Sequence, residues 1–203
     1  LARLPDHAAA WHQRGIAYEF LQDDQQAVES YEKARQYDPR NTDLLFSEGK
    51  TFARLGNYED AIRIFDLALG VSPDRGEIFF EKGLALSALG RHGDAEAVLE
   101  KAVLHLPQKP EPLYHRGLSL MNLARNADAV TAFTAAISLT PENPELWYQK
   151  GTGLAQLGQH QPAASAFEKA LSFRPEDTRS HLGLARALVA LDKCVDAVRS
   201  FDA

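Results

Sequence analysis

Cysteine is nearly absent from this chain: Cys194 is the only one in 203 residues. No disulfide can form within it, so the fold must hold itself together by packing. Long apolar runs are missing too. No stretch approaches the roughly 18 consecutive apolar residues of a membrane helix. Basic charge is scarce: 22 Lys and Arg stand against 28 Asp and Glu, a formal net charge of -6. A general nucleic-acid binder would carry a basic stripe, so that class is disfavoured. Gly/Ser/Pro linkers and low-complexity tracts do not occur.

Catalytic motifs are equally wanting. There is no P-loop, no nucleophile elbow and no H-E-x-x-H. Gly151-Thr152-Gly153 superficially suggests a dinucleotide loop, but the third glycine would fall at Gln156 and no strand pattern precedes it. The seven histidines are scattered. Carboxylates are plentiful, mostly on helix faces expected to be solvated. No catalysis, cofactor or metal is expected of these residues.

What is there is a period. Gly15, Gly49, Gly83, Gly117 and Gly151 fall 34 residues apart without a slip. Ala27, Ala61, Ala95, Ala129, Ala163 and Ala197 form a second column, and Leu21, Leu55, Leu89, Leu123, Leu157 and Leu191 a third. Tyr31, Phe65, Leu99, Phe133, Phe167 and Phe201 supply one large apolar wedge per unit. Pro39, Pro73, Pro107, Pro141 and Pro175 close the units. A fixed 34-residue period is the mark of a helical repeat array. The chain resembles a tetratricopeptide (TPR) protein along nearly its whole length.

Counting each glycine as position 8, the repeats are 8–41, 42–75, 76–109, 110–143, 144–177 and a partial 178–203. Each is expected to be two antiparallel helices, A over positions 1–14 and B over 16–30. The fold class is all-α, an α-solenoid, and the resemblance implies a right-handed superhelix. A glycine inside a helix costs about 1 kcal/mol relative to alanine. Its recurrence therefore implies helices too close for a Cβ. Gly56, Gly90 and Gly158 suit a left-handed end to helix A. Asn143-Pro144 reads as an N-cap followed by proline at the first helical position. Cys194 falls at position 17, beside Tyr58, His92 and His160 of other repeats, and is expected to be a half-buried packing residue. His92 and His160 lie two repeats apart, too far to share a metal.

The ends point to a piece of a longer array. Pro5 and Leu1 stand 34 residues before Pro39 and Arg35, so 1–7 read as the tail of a preceding repeat. Phe201 is a wedge, and the chain stops inside a helix B, with no polar capping helix in view. The compartment is left open, with the cytoplasm favoured.

Function must be argued from a site. The resemblance implies that helix A lines a concave groove through positions 2, 5, 6, 9, 12 and 13. Position 5 reads His12, Phe46, Phe80, Tyr114, Tyr148, Leu182, an aromatic ladder. Position 2 reads Ala9, Asp43, Glu77, Glu111, Glu145, Arg179, an acidic rail in the middle repeats. Both columns also have a bland reading, since acids in a first turn favour the helix dipole and both residue types are common there in the family. Phe80 and Leu84 with Tyr114, Leu118, Met121 and Asn122 are expected to make a central patch, mostly apolar. Lys50 and Arg54 lie on one polar flank, Thr152 and Gln156 on the other, and repeat 6 turns basic with Arg179 and Arg186. Phe46, Lys50, Glu77, Glu111, Glu145 and Tyr148 complete the expected peptide-binding set.

The reading is a protein-interaction scaffold whose partner is a basic, partly apolar peptide or helix. The alternatives are a self-associating module with uncapped ends, or the targeting arm of an enzyme encoded outside this segment. Two family specialisations fail on their residues. The chaperone carboxylate clamp would need Lys, Asn, Asn, Lys and Arg where repeats 1–3 have His12, Ile16, Ser47, Glu77 and Glu81. Starting one repeat later gives Phe46, Lys50, Glu81, Glu111 and His115. The asparagine ladder of sugar-transferase TPRs is also absent, for position 6 reads Gln13, Ser47, Glu81, His115, Gln149, Gly183.

Overall fold

The computed structural model describes residues 5–201, with side chains described over 7–198. Twelve helices and no strand occur among the described residues. They are α1 (Pro5–Phe20), α2 (Asp24–Tyr37), α3 (Thr42–Arg54), α4 (Tyr58–Val71), α5 (Gly76–Ala88) and α6 (His92–His105). Then come α7 (Pro110–Asn122), α8 (Asn126–Leu139), α9 (Pro144–Gln156), α10 (His160–Phe173), α11 (Thr178–Ala190) and α12 (Cys194–Phe201). Odd-numbered helices are the A helices and even-numbered ones the B helices. The fold is an all-α solenoid. The chain divides between Leu106 and Pro107 into two compact units, α1–α6 and α7–α12.

The periodic glycines and wedges turn out to be one device. A Cβ on Gly117 would come 2.5 Å from Cε1 of Phe133, and one on Gly49 2.5 Å from Cε1 of Phe65. At Gly83 it would meet Leu99 Cγ at 2.6 Å, and at Gly151 Phe167 Cε1 at 2.8 Å. The wedge of each B helix lies flat on the bare backbone of its own A helix. Tyr31, Phe65, Leu99 and Phe133 are fully buried as a result. The sixth wedge, Phe201, has its side chain outside the described residues. The position-20 alanines are buried in every repeat.

Turns follow the residue types at hand. Gly56, Gly90 and Gly158 have φ of 78°, 72° and 73°. Each is followed by a six-to-one closure such as Asn57 N–H to Phe52 O at 2.9 Å, the Schellman pattern. Repeats 1, 4 and 6 make the same turn with Gln22, Ala124 and Asp192, at φ near 60°. Those three L-residues carry the strain of the left-handed region. At the other end of each pair, the repeat prolines follow the residue that caps helix B. That residue is held out of the helical region, as at Thr140 (φ -137°, ψ 76°), because proline disfavours a helical predecessor. Asn143 caps α9, accepting from Glu145 N–H at 3.0 Å.

Two details differ from the sequence reading. α1 begins at Pro5, so Pro5, Asp6 and His7 form its first turn, whereas the repeat register starts at Ala8. Proline is well tolerated there because a first-turn residue has no helical partner for an N–H. The rest of the expected preceding tail, residues 1–4, lies outside the described residues. Cys194 is exposed, not half-buried, although Tyr58, His92 and His160 at the same station of other repeats are partly buried.

Candidate functional site

Within each unit the A helices lie side by side. Their position-5 rings form a layer resting on the wedges. Phe46 sits 6.3 Å from Phe65, Tyr114 6.2 Å from Phe133 and Tyr148 5.9 Å from Phe167, measured between centroids. His12 makes an edge contact with Tyr31 at 5.7 Å. These rings are half-buried: one side belongs to the core and the other remains open. Phe80 packs against the Leu86–Leu99 cluster of its own unit.

Cations lie over several of those open sides. Lys50 and Arg75 lie over Phe46 at 5.5 and 5.0 Å, and Arg179 lies over Tyr148 at 4.6 Å. The same arginines engage the position-2 acids. Arg75 Nη1 reaches Asp43 Oδ1 at 2.6 Å, and Arg179 Nη2 reaches Glu145 Oε2 at 2.6 Å. Gln149 also donates to Glu145, at 2.8 Å. The expected acidic rail is therefore not a row of open carboxylates. Asp43 is paired from the end of its own repeat and Glu145 from the following one, which withdraws much of the argument for a basic partner. Glu111 is exposed, and its charge partly offsets the lowering that burial imposes on the His115 imidazole.

The expected central patch divides between units. Phe80 and Leu84 belong to the first, while Tyr114, Leu118 and Met121 belong to the second, half-buried against the Leu120–Phe133 core. Asn122 is turned back on its own helix, donating to Leu118 O at 3.0 Å. A small recess of about 180 Å³ brings Glu111, Tyr114 and Glu145 together with Pro110, Asn143 and Leu146. Burial, with help from Glu145, raises the Tyr114 phenol above its usual range.

Two larger clefts occupy the same place in the repeat. The first, about 460 Å³, is lined by Lys50, Ala53 and Arg54 of α3, Tyr58 of α4, and Glu81, Leu84, Ala85 and Ala88 of α5. Burial raises the Glu81 carboxyl, and the Lys50 ammonium pulls it back. The second, about 420 Å³, lies in the other unit. Thr152, Ala155 and Gln156 of α9 and His160 of α10 stand at the matching positions 9, 12, 13 and 17. Gly183, Arg186 and Ala187 of α11 match Glu81, Leu84 and Ala85. Tyr148, Phe167, Arg179 and Leu182 complete it. Position 17, on the B helix, was passed over by a reading confined to A-helix columns.

Charge pairs also link neighbouring helices. Arg54 grips Asp24 and Glu19, with its Nη2 at 2.7 Å from each. Glu48 is fully buried and takes both oxygens to Arg35 Nε, at 3.1 and 2.9 Å. Burial raises its carboxyl despite that guanidinium. One repeat on, the signs reverse: Lys82 Nζ meets Asp66 Oδ1 at 2.5 Å. The signal was in the sequence. Position 7 reads Glu48, Lys82, Arg116 and Lys150, and the first two change sign with their partners on the preceding B helix. Among the described residues, no cluster of three or more His, Cys, Asp or Glu side chains is placed to hold a metal. No helix among them is long and apolar enough to cross a membrane.

Comparison with known proteins agrees with this architecture. A family model described as tetratricopeptide repeat matches residues 46–111, 114–178 and 148–203, and a second of the same description matches 8–41. The chain is a tetratricopeptide repeat protein. No curated protein matches the sequence. Among solved structures, this TPR chain is similar to MamA of Desulfovibrio magneticus RS-1, with 22% identity over 85% of this chain and 98% of that one, at a TM-score of 0.79. It is similar to YrrB, described as a TPR protein with an unusual peptide-binding site, with 20% identity, 84% and 88% coverage and a TM-score of 0.76. PilW, a type IV pilus biogenesis factor, matches at 22% identity over 95% and 90%, with a TM-score of 0.75.

Proposed function

We propose that this TPR chain is a protein-interaction module that holds a partly apolar peptide segment or partner helix against its A helices, and that no catalysis resides in it. The observation that carries the reading is the recurrence of the A-helix cleft. It opens at the same repeat positions in both units, while the glycine–wedge contacts behind it are sealed. A core column is explained by packing. An open, half-apolar cleft beside a ring is explained by something that fills it. The likeness to YrrB, a protein described with a peptide-binding site, supports the same reading. The expected set of Phe46, Lys50, Glu77, Phe80, Leu84, Glu111, Tyr114, Leu118, Met121, Asn122, Glu145 and Tyr148 is kept, with Tyr114 as the anchor to test. Its ring has a recess at its side and a full wedge beneath it.

The test is selection of binders from a displayed random peptide library. Tyr114→Ala should weaken selected peptides by about 2 kcal/mol or more, mainly through faster dissociation. Thermal unfolding of the variant should remain cooperative. Peptides that bind Tyr114→Ala as tightly as the parent would remove the reading. Self-association is the second reading, favoured by Val195 and Val198 of α12, which are 70% and 57% exposed. A concentration series in the ultracentrifuge separates it from peptide binding.

A further inference from the structure

The two matching clefts differ in charge, and the difference is specific. The first contains its own ion partners: Lys50 and Glu81 line it together, and Arg54 is held by Glu19 and Asp24. In the second, the place of Glu81 is taken by Gly183. A Cβ there would come 2.7 Å from Phe167 Cε1, so the edge of that buried ring rests against bare backbone where the first cleft has a carboxylate. No carboxylate lines this cleft, while two guanidinium groups do. Arg179 is spent on Glu145 and Asp177. Arg186 makes no hydrogen bond or ion pair among the described residues. The cleft thus joins an apolar lining, exposed Leu182 over the edge of buried Phe167, to an uncompensated cation.

We propose that the cleft between α9, α10 and α11 is an acidic-peptide site, taking a bulky apolar side chain against Phe167 and Leu182 and a neighbouring Asp or Glu carboxylate at Arg186. This rests on the peptide-binding reading above and supplies the charge that the position-2 acids do not. A volume of about 420 Å³ accommodates one large side chain and a carboxylate, within the usual span of ligand pockets. A charge-assisted hydrogen bond in a partly desolvated cleft is among the stronger single contacts available.

The test begins with the same displayed library. Selected peptides are resynthesised with both termini blocked, so that no terminal carboxylate contributes, and each is paired with its Asp→Asn or Glu→Gln counterpart. Fluorescence anisotropy then reads affinity. The winners should carry an acid within a residue or two of Leu, Ile or Phe. Arg186→Gln should weaken them about tenfold or more. The amide peptide should lose a similar factor, and the two losses should not multiply, because each removes the same contact. Gln156→Glu, an exposed isosteric change at the rim, should also weaken them, and Gln156→Lys should tighten them. Winners that respond to Tyr114→Ala but are basic or neutral, or indifferent to Arg186→Gln, overturn this proposal and leave the general reading standing. A library that yields no binder overturns both. If the chain self-associates and Arg186→Gln abolishes it, a second copy fills the cleft and the peptide proposal falls.

Discussion

The contact between Gly117 and Phe133 predicts a sign change that few explanations other than direct packing would produce. Phe133 is fully buried, so Phe133→Ala should cost about 3–5 kcal/mol. Gly117→Ala adds a single carbon. It would lie 2.5, 2.8 and 2.9 Å from three atoms of the ring, where carbon atoms prefer roughly 3.5–4.0 Å. Overpacking of this kind costs about 1–3 kcal/mol, against which alanine recovers up to about 1 kcal/mol of helix propensity. The net expectation is a loss of up to about 2 kcal/mol. With Phe133 already replaced by alanine, the clash disappears, and Gly117→Ala should stabilise by about 1 kcal/mol. The coupling between the two changes is then the overpacking cost itself, about 1–3 kcal/mol, within what touching residues show. Gly70→Ala is the control, because no atom lies within 4 Å of its would-be Cβ. It should be neutral to stabilising in either background. Urea unfolding followed by circular dichroism measures all of these, with the slope checked for constancy. If Gly117→Ala costs the same with and without Phe133, to within about 0.5 kcal/mol, the wedge does not rest on that glycine and the repeat geometry argued above is wrong.

Three further outcomes follow from single residues. Ala124 holds a left-handed turn (φ 57°) that glycine makes in repeats 2, 3 and 5, so Ala124→Gly should raise stability by about 0.5–1 kcal/mol, read as an upward shift in urea midpoint; a downward shift would deny the strain. Glu48 is buried with its carboxyl raised, so the folded chain holds that proton more tightly than the unfolded one, and stability falls as pH rises from the ordinary carboxylate range through the raised native value. Glu48→Gln lacks that loss, so its stability relative to the parent should improve from about pH 4 to 7; a gap that stays flat would show that Arg35 fully offsets the burial. Exposed Cys194 should react with an aromatic disulfide reagent in the folded protein nearly as fast as in urea, and slow labelling would return it to the packing role its column suggested.

Much of the fold was legible because its controlling contacts lie inside one repeat. Gly117 and Phe133 are 16 residues apart, and their partners elsewhere keep that spacing, so each column of the sequence is a column of the structure. The Gly56, Gly90 and Gly158 turns and the proline stops are more local still. What escaped depends on contacts between repeats, or between a column and a residue outside it. Asp43 is answered by Arg75, the last residue of its own repeat, which belongs to no groove column. Glu145 is answered by Arg179, which appeared only as a departure from the acidic column. The rail looked continuous because one column was read without its neighbours. Tyr58 and His160 were read only as the column-mates of Cys194 for a similar reason, since they reach the clefts from B helices.

The same comparison explains how this array can vary its recognition without endangering its fold. Stability of stacked repeats is close to a sum of each repeat and its interfaces, and here those terms sit in the glycine, alanine and wedge columns. Positions 6 and 9 are outside them. At position 6, Glu81 and Gly183 occupy the same station, and only the first places a carboxylate among the cleft's cations. At position 9, Lys50, Leu84, Thr152 and Arg186 span cation, hydrocarbon and hydroxyl on one unchanged helix geometry. Where a residue is free of the core, its identity needs another cause. The open guanidinium of Arg186 beside exposed Leu182 is where that cause is most sharply defined, because leaving it without an anion gains the fold nothing.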